Sequence, residues 1–136
     1  MRVMIDTNVV LDVLLKREPF FSHSYEVLRL SALQTHEGFI SAAAVTDVFY
    51  IVRKSLKDVE KAKESMSTLL QLVGIADAMV IDVHNAIEYP MNDFEDALVA
   101  AIAKRCELDR IITRNKADFV DSPVKAITPQ EFLAMV

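Results

Sequence analysis

Apolar residues in this chain come in short blocks whose spacing keeps changing. "RVMID" at residues 2–6 reads as a short buried strand that ends in an acid, and Val9, Val10, Val13 and Leu14 then recur at helical period. Pro19 suits the first turn of another helix, which carries Phe21, Tyr25, Leu28 and Ala32 on one stripe. Gly38 interrupts, "FIS" at 39–41 reads as a strand, and Ser41 is placed to cap a helix over "AAAVTDVFYIVRK". Asp58 is placed to cap "VEKAKESMSTLLQLV", a helix that Gly74 ends. "AMVIDV" at 78–83 reads as a third strand and "HNAIEYP" as a short helix stopped by Pro90. Asn92 or Asp93 opens the alanine-rich helix "FEDALVAAIAKRCEL", with a stripe at Phe94, Leu98, Ala101 and Ile102. "RIIT" at 110–113 and "VKAI" at 124–127 complete the strands, and "TPQEFLAMV" is a final helix with Thr128 as cap and Pro129 at its first position.

Strands alternate with helices, and the strands are apolar on both sides. That pattern predicts an α/β fold, a three-layer sandwich around a central parallel sheet of four to five strands. The 136 residues suit one domain, 1–136, and no repeat or linker divides them. No apolar run reaches the roughly 18 residues a bilayer span requires. Asp6 comes too early for a secretory signal, so the chain is expected in the cytoplasm and off the membrane. Cys106 is the sole cysteine, which excludes an internal disulfide and agrees with a reducing compartment. His23, His36 and His84 do not combine with it in a zinc-ligand spacing.

The polar breaks gather where parallel sheets bind ligands, beyond the carboxyl ends of the strands. Asp6, Thr7 and Asn8 follow the first strand. Ser41 follows the second and leads to Asp47. Thr113, Arg114 and Asn115 follow the fourth, with Asp118 beyond, and Asp93 and Asp96 share one face of the preceding helix. Singly, most have an ordinary reading: Asp93 favours a helix N-terminus, Asp118 a turn, Asp6 a loop. Asp47 is the exception, an acid about a turn and a half into an otherwise apolar helix. Collectively they are costly. Two carboxylates about 4 Å apart repel by on the order of 4 kcal/mol at an effective dielectric near 20, so three or four approach a domain's entire stability of roughly 5–15 kcal/mol. Such acids protonate, separate or hold cations, and oxygen-only donors point to Mg²⁺ or Mn²⁺.

In "MIDTNVVLDVLL", "ISAAAVTDVFYIV", "DFEDALVAAIA", "IITRNKADF" and "ITPQEFL" the chain resembles the PIN-domain ribonucleases, and is similar to the VapC-type toxins of toxin–antitoxin pairs. The resemblance spans essentially the whole chain. It implies that Asp6 is the first acid, that Asp47 stands where the family usually has Glu, and that Asp96 is the third acid, with Asp93 an extra carboxylate of some branches. The fourth position falls at Asn115 or Asp118; Asp118 is preferred as the carboxylate and Asn115 as a polar helper. Thr7, Asn8, Ser41 and Thr113 match the family's small polar positions. The implied activity is metal-dependent hydrolysis of RNA, with Asp6, Asp47, Asp96 and Asp118 catalytic. Together with Asp93 these acids would hold one or two Mg²⁺ or Mn²⁺, and the products would carry 5′-phosphate and 3′-hydroxyl ends. A homodimer and a protein antitoxin are implied as partners.

A net charge of −5 argues by itself against nucleic-acid binding, but two bound dications would reverse the local field. Arg53, Lys54, Lys57, Arg114 and Lys116 are candidate rim residues for an RNA backbone; for "RKSLK" a merely solvated helix end has even weight. "DVFYIV" is a candidate contact surface, although core is the stronger reading. Two other functions compete. Haloacid dehalogenase-like phosphatases also open with a strand ending in Asp, but their second acid falls here on Asn8. A non-catalytic PIN-like RNA-binding module is the other, and the filled carboxyl positions speak against it.

Overall fold

In the computed structural model, which describes residues 1–136, β1 (Arg2–Ile5) lies at the centre of a five-stranded parallel sheet. It pairs on one side with β2 (Glu37–Ser41) and on the other with β4 (Arg110–Ile112), and β3 (Gly74–Ala76) and β5 (Ala126–Ile127) form the edges. The order is β3-β2-β1-β4-β5. Winding therefore reverses between β1 and β4, which opens a crevice at their carboxyl ends.

Both faces of the sheet are covered, as the unbroken apolar strands require. Val3, Ile5, Ile40, Ile112 and Ile127 face one core, completed by α1 (Thr7–Leu14), α2 (Phe21–Ala32), α3 (Val45–Leu56), α4 (Val59–Leu72) and α7 (Pro129–Met135). Met4, Ile111 and Ala126 face the other core, against α6 (Phe94–Arg105), on which α5 (Val80–Glu88) packs. Ala97, Ala100, Ala101 and Ala103 are all buried, so α6 can approach both the sheet and α5 closely. The three-layer α/β sandwich is as the sequence predicts.

Asp58 accepts the Lys61 N–H at 3.1 Å to start α4, and Thr128 and Glu131 form a reciprocal capping box on α7. Gly38 is required by close approach: a Cβ there would lie 2.7 Å from Ser31 Oγ and 2.8 Å from Ile5 Cδ1. The Ser31 hydroxyl instead accepts the Gly38 N–H at 3.1 Å and donates to the Leu72 carbonyl at 3.1 Å, tying α2, β2 and the end of α4 together.

One predicted strand is wrong. "AMVIDV" is no strand: Val80 opens α5, and β3 is Gly74–Ala76 just upstream. The apolar block misled because Met79, Val80, Ile81, Val83 and Ile87 are exposed, whereas the polar Asp82 is fully buried. Asp82 fixes the helix start by accepting the Met79 N–H at 2.8 Å and pairing with Arg105 at 2.9 Å. The strand falls where Gly74 lets Phe39 come close, since a Cβ would meet its ring at 2.9 Å. Three smaller differences follow. Pro19 lies in the turn ahead of α2 and not in its first turn. Ser41 caps a 3₁₀ turn at Ala42–Ala44, so α3 begins only at Val45 and Asp47 occupies its first turn. Phe94, expected on the buried stripe of α6, is exposed.

Candidate active site

The crevice beside β1 and β4 is a cleft of ≈ 650 Å³ lined by Asp6, Thr7 and Asn8, by Asp47 and Tyr50 of α3, by Phe94, Glu95 and Asp96 of α6, and by Asn115 and Asp118. Residues from five separate parts of the chain meet there because each stands at the carboxyl end of a strand or in the first turn of the helix facing it.

Asp6 is the fixed point. It ends β1 and caps α1, its Oδ1 accepting the Thr7 N–H at 2.9 Å. Its Oδ2 accepts the Thr113 hydroxyl at 2.8 Å and Asn8 Nδ2 at 3.3 Å. Thr113, fully buried at the end of β4, also accepts Asn8 Nδ2 at 3.3 Å and the Asn115 N–H at 3.1 Å. Burial pushes the Asp6 carboxyl above its ordinary value, the bonds from Thr113 and Thr7 oppose the rise, and the charges of Asp118 and Asp93 add to it.

Asp96 feels the crowding most. Its carboxyl is pushed up to about 7, by burial first and then by the charges of Asp6, Asp93, Asp118 and Glu95. Asp93 does not line the cleft; it caps α6, accepting the Asp96 N–H at 3.0 Å, and acts on Asp6 and Asp96 through its charge. Asp118, in the 3₁₀ turn Lys116–Phe119, is the carboxylate of the β4 side, and Asn115 stands beside it without a charge. Both lie in the cleft, and only Asp118 bears on the titration of Asp6 and Asp96.

Glu95 was not among the residues singled out from the sequence. It lines the cleft next to Asp47, whose charge pushes its carboxyl up, followed by burial and the hydrogen bond between the two groups. The signal was available in "DFED", where three of four residues are acids at a helix start, but exposed first-turn acids are so common that pattern alone does not separate them.

The small polar positions divide. Thr7 and Asn8 line the cleft and Thr113 supports it from beneath. Ser41 does not reach it; buried, it accepts the Ala43 N–H at 3.1 Å and caps the 3₁₀ turn. The basic rim also divides. Arg53, Lys54 and Lys57 line a shallow groove of ≈ 420 Å³ that shares Tyr50 with the cleft. Arg114 is not on the rim: its Nε bonds buried Asp12 Oδ2 at 2.8 Å and its guanidinium lies 3.9 Å over Phe20, because a buried carboxylate demands a cation. Lys116 pairs with Glu131. In "DVFYIV", Val48 and Val52 are core while Tyr50 is exposed.

Whether these acids suit a metal depends on donor chemistry and placement. Every side-chain donor in the cleft is an oxygen or an amide, the set of a hard divalent cation. The raised carboxyls of Asp6, Asp96 and Glu95 record a negative potential that such a charge would relieve. As the side chains stand, no three carboxylates close on a single point, so Asp6, Asp96 and Asp118 would have to draw inward by rotamer changes to hold one ion. The donor set fits; the closed shell is not preformed.

Known proteins share this arrangement. A sequence profile of the PIN domain matches residues 2–117. Ribonuclease VapC1 of Aquifex aeolicus (strain VF5) is 25% identical over 136 residues, covering 96% of this chain and 92% of the relative. Among solved structures, VapBC2 from Rickettsia felis bound to a DNA fragment from its promoter superposes with a TM-score of 0.75 at 22% identity, over 94% of this chain and 98% of that one. The sarcin–ricin loop cleaving toxin VapC20 of Mycobacterium tuberculosis superposes at 0.63 with 12% identity, over 80% and 86% of the two chains. A profile match over most of the chain, on a sheet whose switch point gathers these acids, establishes that the protein belongs to the PIN-domain family.

Proposed function

We propose that the protein is a divalent-metal-dependent endoribonuclease, the toxin of a toxin–antitoxin pair, with Asp6, Asp47, Asp96 and Asp118 as its catalytic carboxylates. The observation that carries the reading is the lining of one cleft by all four, with Asp96 pushed up to about 7. A cleft with so little positive charge has small use for an anionic RNA unless a cation mediates. The ribonuclease VapC1 relative and the VapBC structural neighbours support the same activity and an antitoxin partner. A cytoplasmic homodimer acting as one unit over residues 1–136 completes the proposal.

Asp6, Asp96 and Asp118 would hold the ion, with Asp93 adding charge from behind, and Mg²⁺ or Mn²⁺ matches their hardness. When bound, the ion supplies Lewis-acid stabilisation of the phosphoryl charge and an acidified water. The remaining work belongs to the protein. Thr7, Thr113 and Asn8 fix the lone pairs of Asp6. The Asp47–Glu95 pair, facing the same space, is placed to take the proton of the attacking water. Arg53, Lys54 and Lys57 receive the RNA backbone in the adjoining groove, and exposed Tyr50 and Phe94 offer aromatic faces to unstacked bases.

The test is cleavage of a labelled RNA with and without Mg²⁺ or Mn²⁺. Cleavage should require the ion, and Asp6→Asn should lower it at least about a hundredfold while the protein stays folded. Cleavage that survives chelation, or is unchanged in Asp6→Asn, rejects the proposal.

A further inference from the structure

Asp12 and Arg114 are unexplained by the cleft itself. Asp12 is fully buried in the interior of α1, where an acid gains nothing from helix propensity. Its Oδ2 accepts the Ser24 hydroxyl at 3.1 Å and Arg114 Nε at 2.8 Å, while Oδ1 has no partner. A group so costly to bury needs a return, and its location indicates one. Asn8 and Asp12 are four residues apart on α1 and so lie on one face. Arg114 grips both: its backbone N–H donates to Asn8 Oδ1 at 3.2 Å and its side chain bonds Asp12. From Asn8 the network continues to Asp6 Oδ2 and to Thr113 Oγ1, each at 3.3 Å, and Thr113 closes it on Asp6.

We propose that Arg114 is a positioning residue: through its ion pair with Asp12 and its seat on Phe20 it clamps the Thr113–Asn115 turn onto α1, and thereby orients the Asp6 carboxylate. The two-point grip sets the distance between the ends of β1 and β4, the gap across which Asp6, Asn8 and Thr113 hydrogen-bond. A lysine cannot replace it, because a single ammonium on a flexible stem offers neither the planar stack on Phe20 nor a donor directed from the Nε position. The inference rests on the assignment of Asp6 to RNA cleavage, and it displaces the reading of Arg114 as a phosphate contact.

The test compares Arg114→Gln and Arg114→Lys with the wild-type protein. In steady-state cleavage of a labelled RNA, both variants should lose about tenfold to a hundredfold in kcat with KM within about twofold. The slope of log affinity against log salt for a non-cleavable RNA analogue should not change. Full kcat in Arg114→Lys, or a higher KM with a salt slope smaller by about one in Arg114→Gln, would overturn the clamp in favour of a phosphate contact. A second measurement does not depend on cleavage. The side-chain amide signals of Asn8 in ¹H–¹⁵N spectra should move towards free-amide positions in both variants, and unchanged signals also overturn the proposal. If wild-type protein cleaves no RNA, the functional reading fails while this spectral result still decides the clamp. If Arg114→Gln fails to fold, Asp12→Asn keeps the shape of the pair and weakens it: loss of kcat at unchanged KM supports the clamp, and wild-type kcat overturns it.

Discussion

At the scale of single residues, Asp96 illustrates how a cleft of acids is linked to stability. The folded protein keeps the Asp96 proton up to about pH 7, whereas the unfolded chain releases it near the ordinary value of 3.8. Between those values the folded state binds more protons, so metal-free stability falls as pH rises. Asp6 and Glu95, also raised, add to the same trend. Thermal unfolding in a chelator should therefore show a lower Tm at pH 8 than at pH 5, and Asp96→Asn should remove much of that slope. At pH 8 the variant should be more stable than wild type by about 1–2 kcal/mol, after allowing for solvent screening of a partly exposed group, although it loses cleavage. The acids themselves were legible in the sequence because each follows a strand or opens a helix. Glu95 and Arg114 were not: one needed Asp47 opposite it and the other needed Asp12 beneath it, and neither neighbour is near in sequence.

At the scale of elements, close approach decides more than propensity does. Gly38→Ala would push a methyl against Ser31 Oγ and Ile5 Cδ1 and disrupt a hydroxyl that bridges β2 to Leu72. Equilibrium denaturation should give a loss of about 1–3 kcal/mol, and Gly38→Ala in a Ser31→Ala background should cost less than in wild type, because the nearest clash is gone. The β3 region shows the limit of pattern reading at this scale. "AMVIDV" has the composition of a buried strand, yet its apolar side chains are exposed on α5 and its one acid is the buried residue, paired with Arg105 from α6. Hydrophobicity predicts burial only on average, and an ion pair contributed by another helix is invisible to local sequence.

At the scale of the molecule, the sheet order places the crevice and the crevice sets the electrostatics. The reversal between β1 and β4 is what brings residues near 6, 47, 96 and 118 together. The net charge of −5 is consistent with nucleic-acid binding only if this negative pocket is neutralised locally. Adding Mn²⁺ or Mg²⁺ should raise Tm, by an amount equivalent to about 2.7 kcal/mol at a hundred times the dissociation constant. Asp6→Asn should reduce that gain, and the absence of any dication-dependent shift in differential scanning fluorimetry would count against the site. Neutralising Arg53 and Lys54 together should weaken RNA binding and lower its salt dependence by about two ions, with little effect on Tm because both are exposed.

The amino-acid sequence by itself determined the alternation of strands and helices, the parallel three-layer sheet, the caps at Asp58, Asp93 and Thr128, and the identity of the principal acids. These depend on local periodicity, on capping chemistry and on the position of polar residues at strand ends. Only the tertiary structure decided which acids face one another, that Ser41 is a cap outside the cleft, that "AMVIDV" lies across the start of a helix, and that Arg114 turns inward to Asp12. The physical reason is the same in each case: the deciding energy lies in a contact between residues distant in the chain, where burial, charge and hydrogen bonding act through space and leave no periodic trace in sequence.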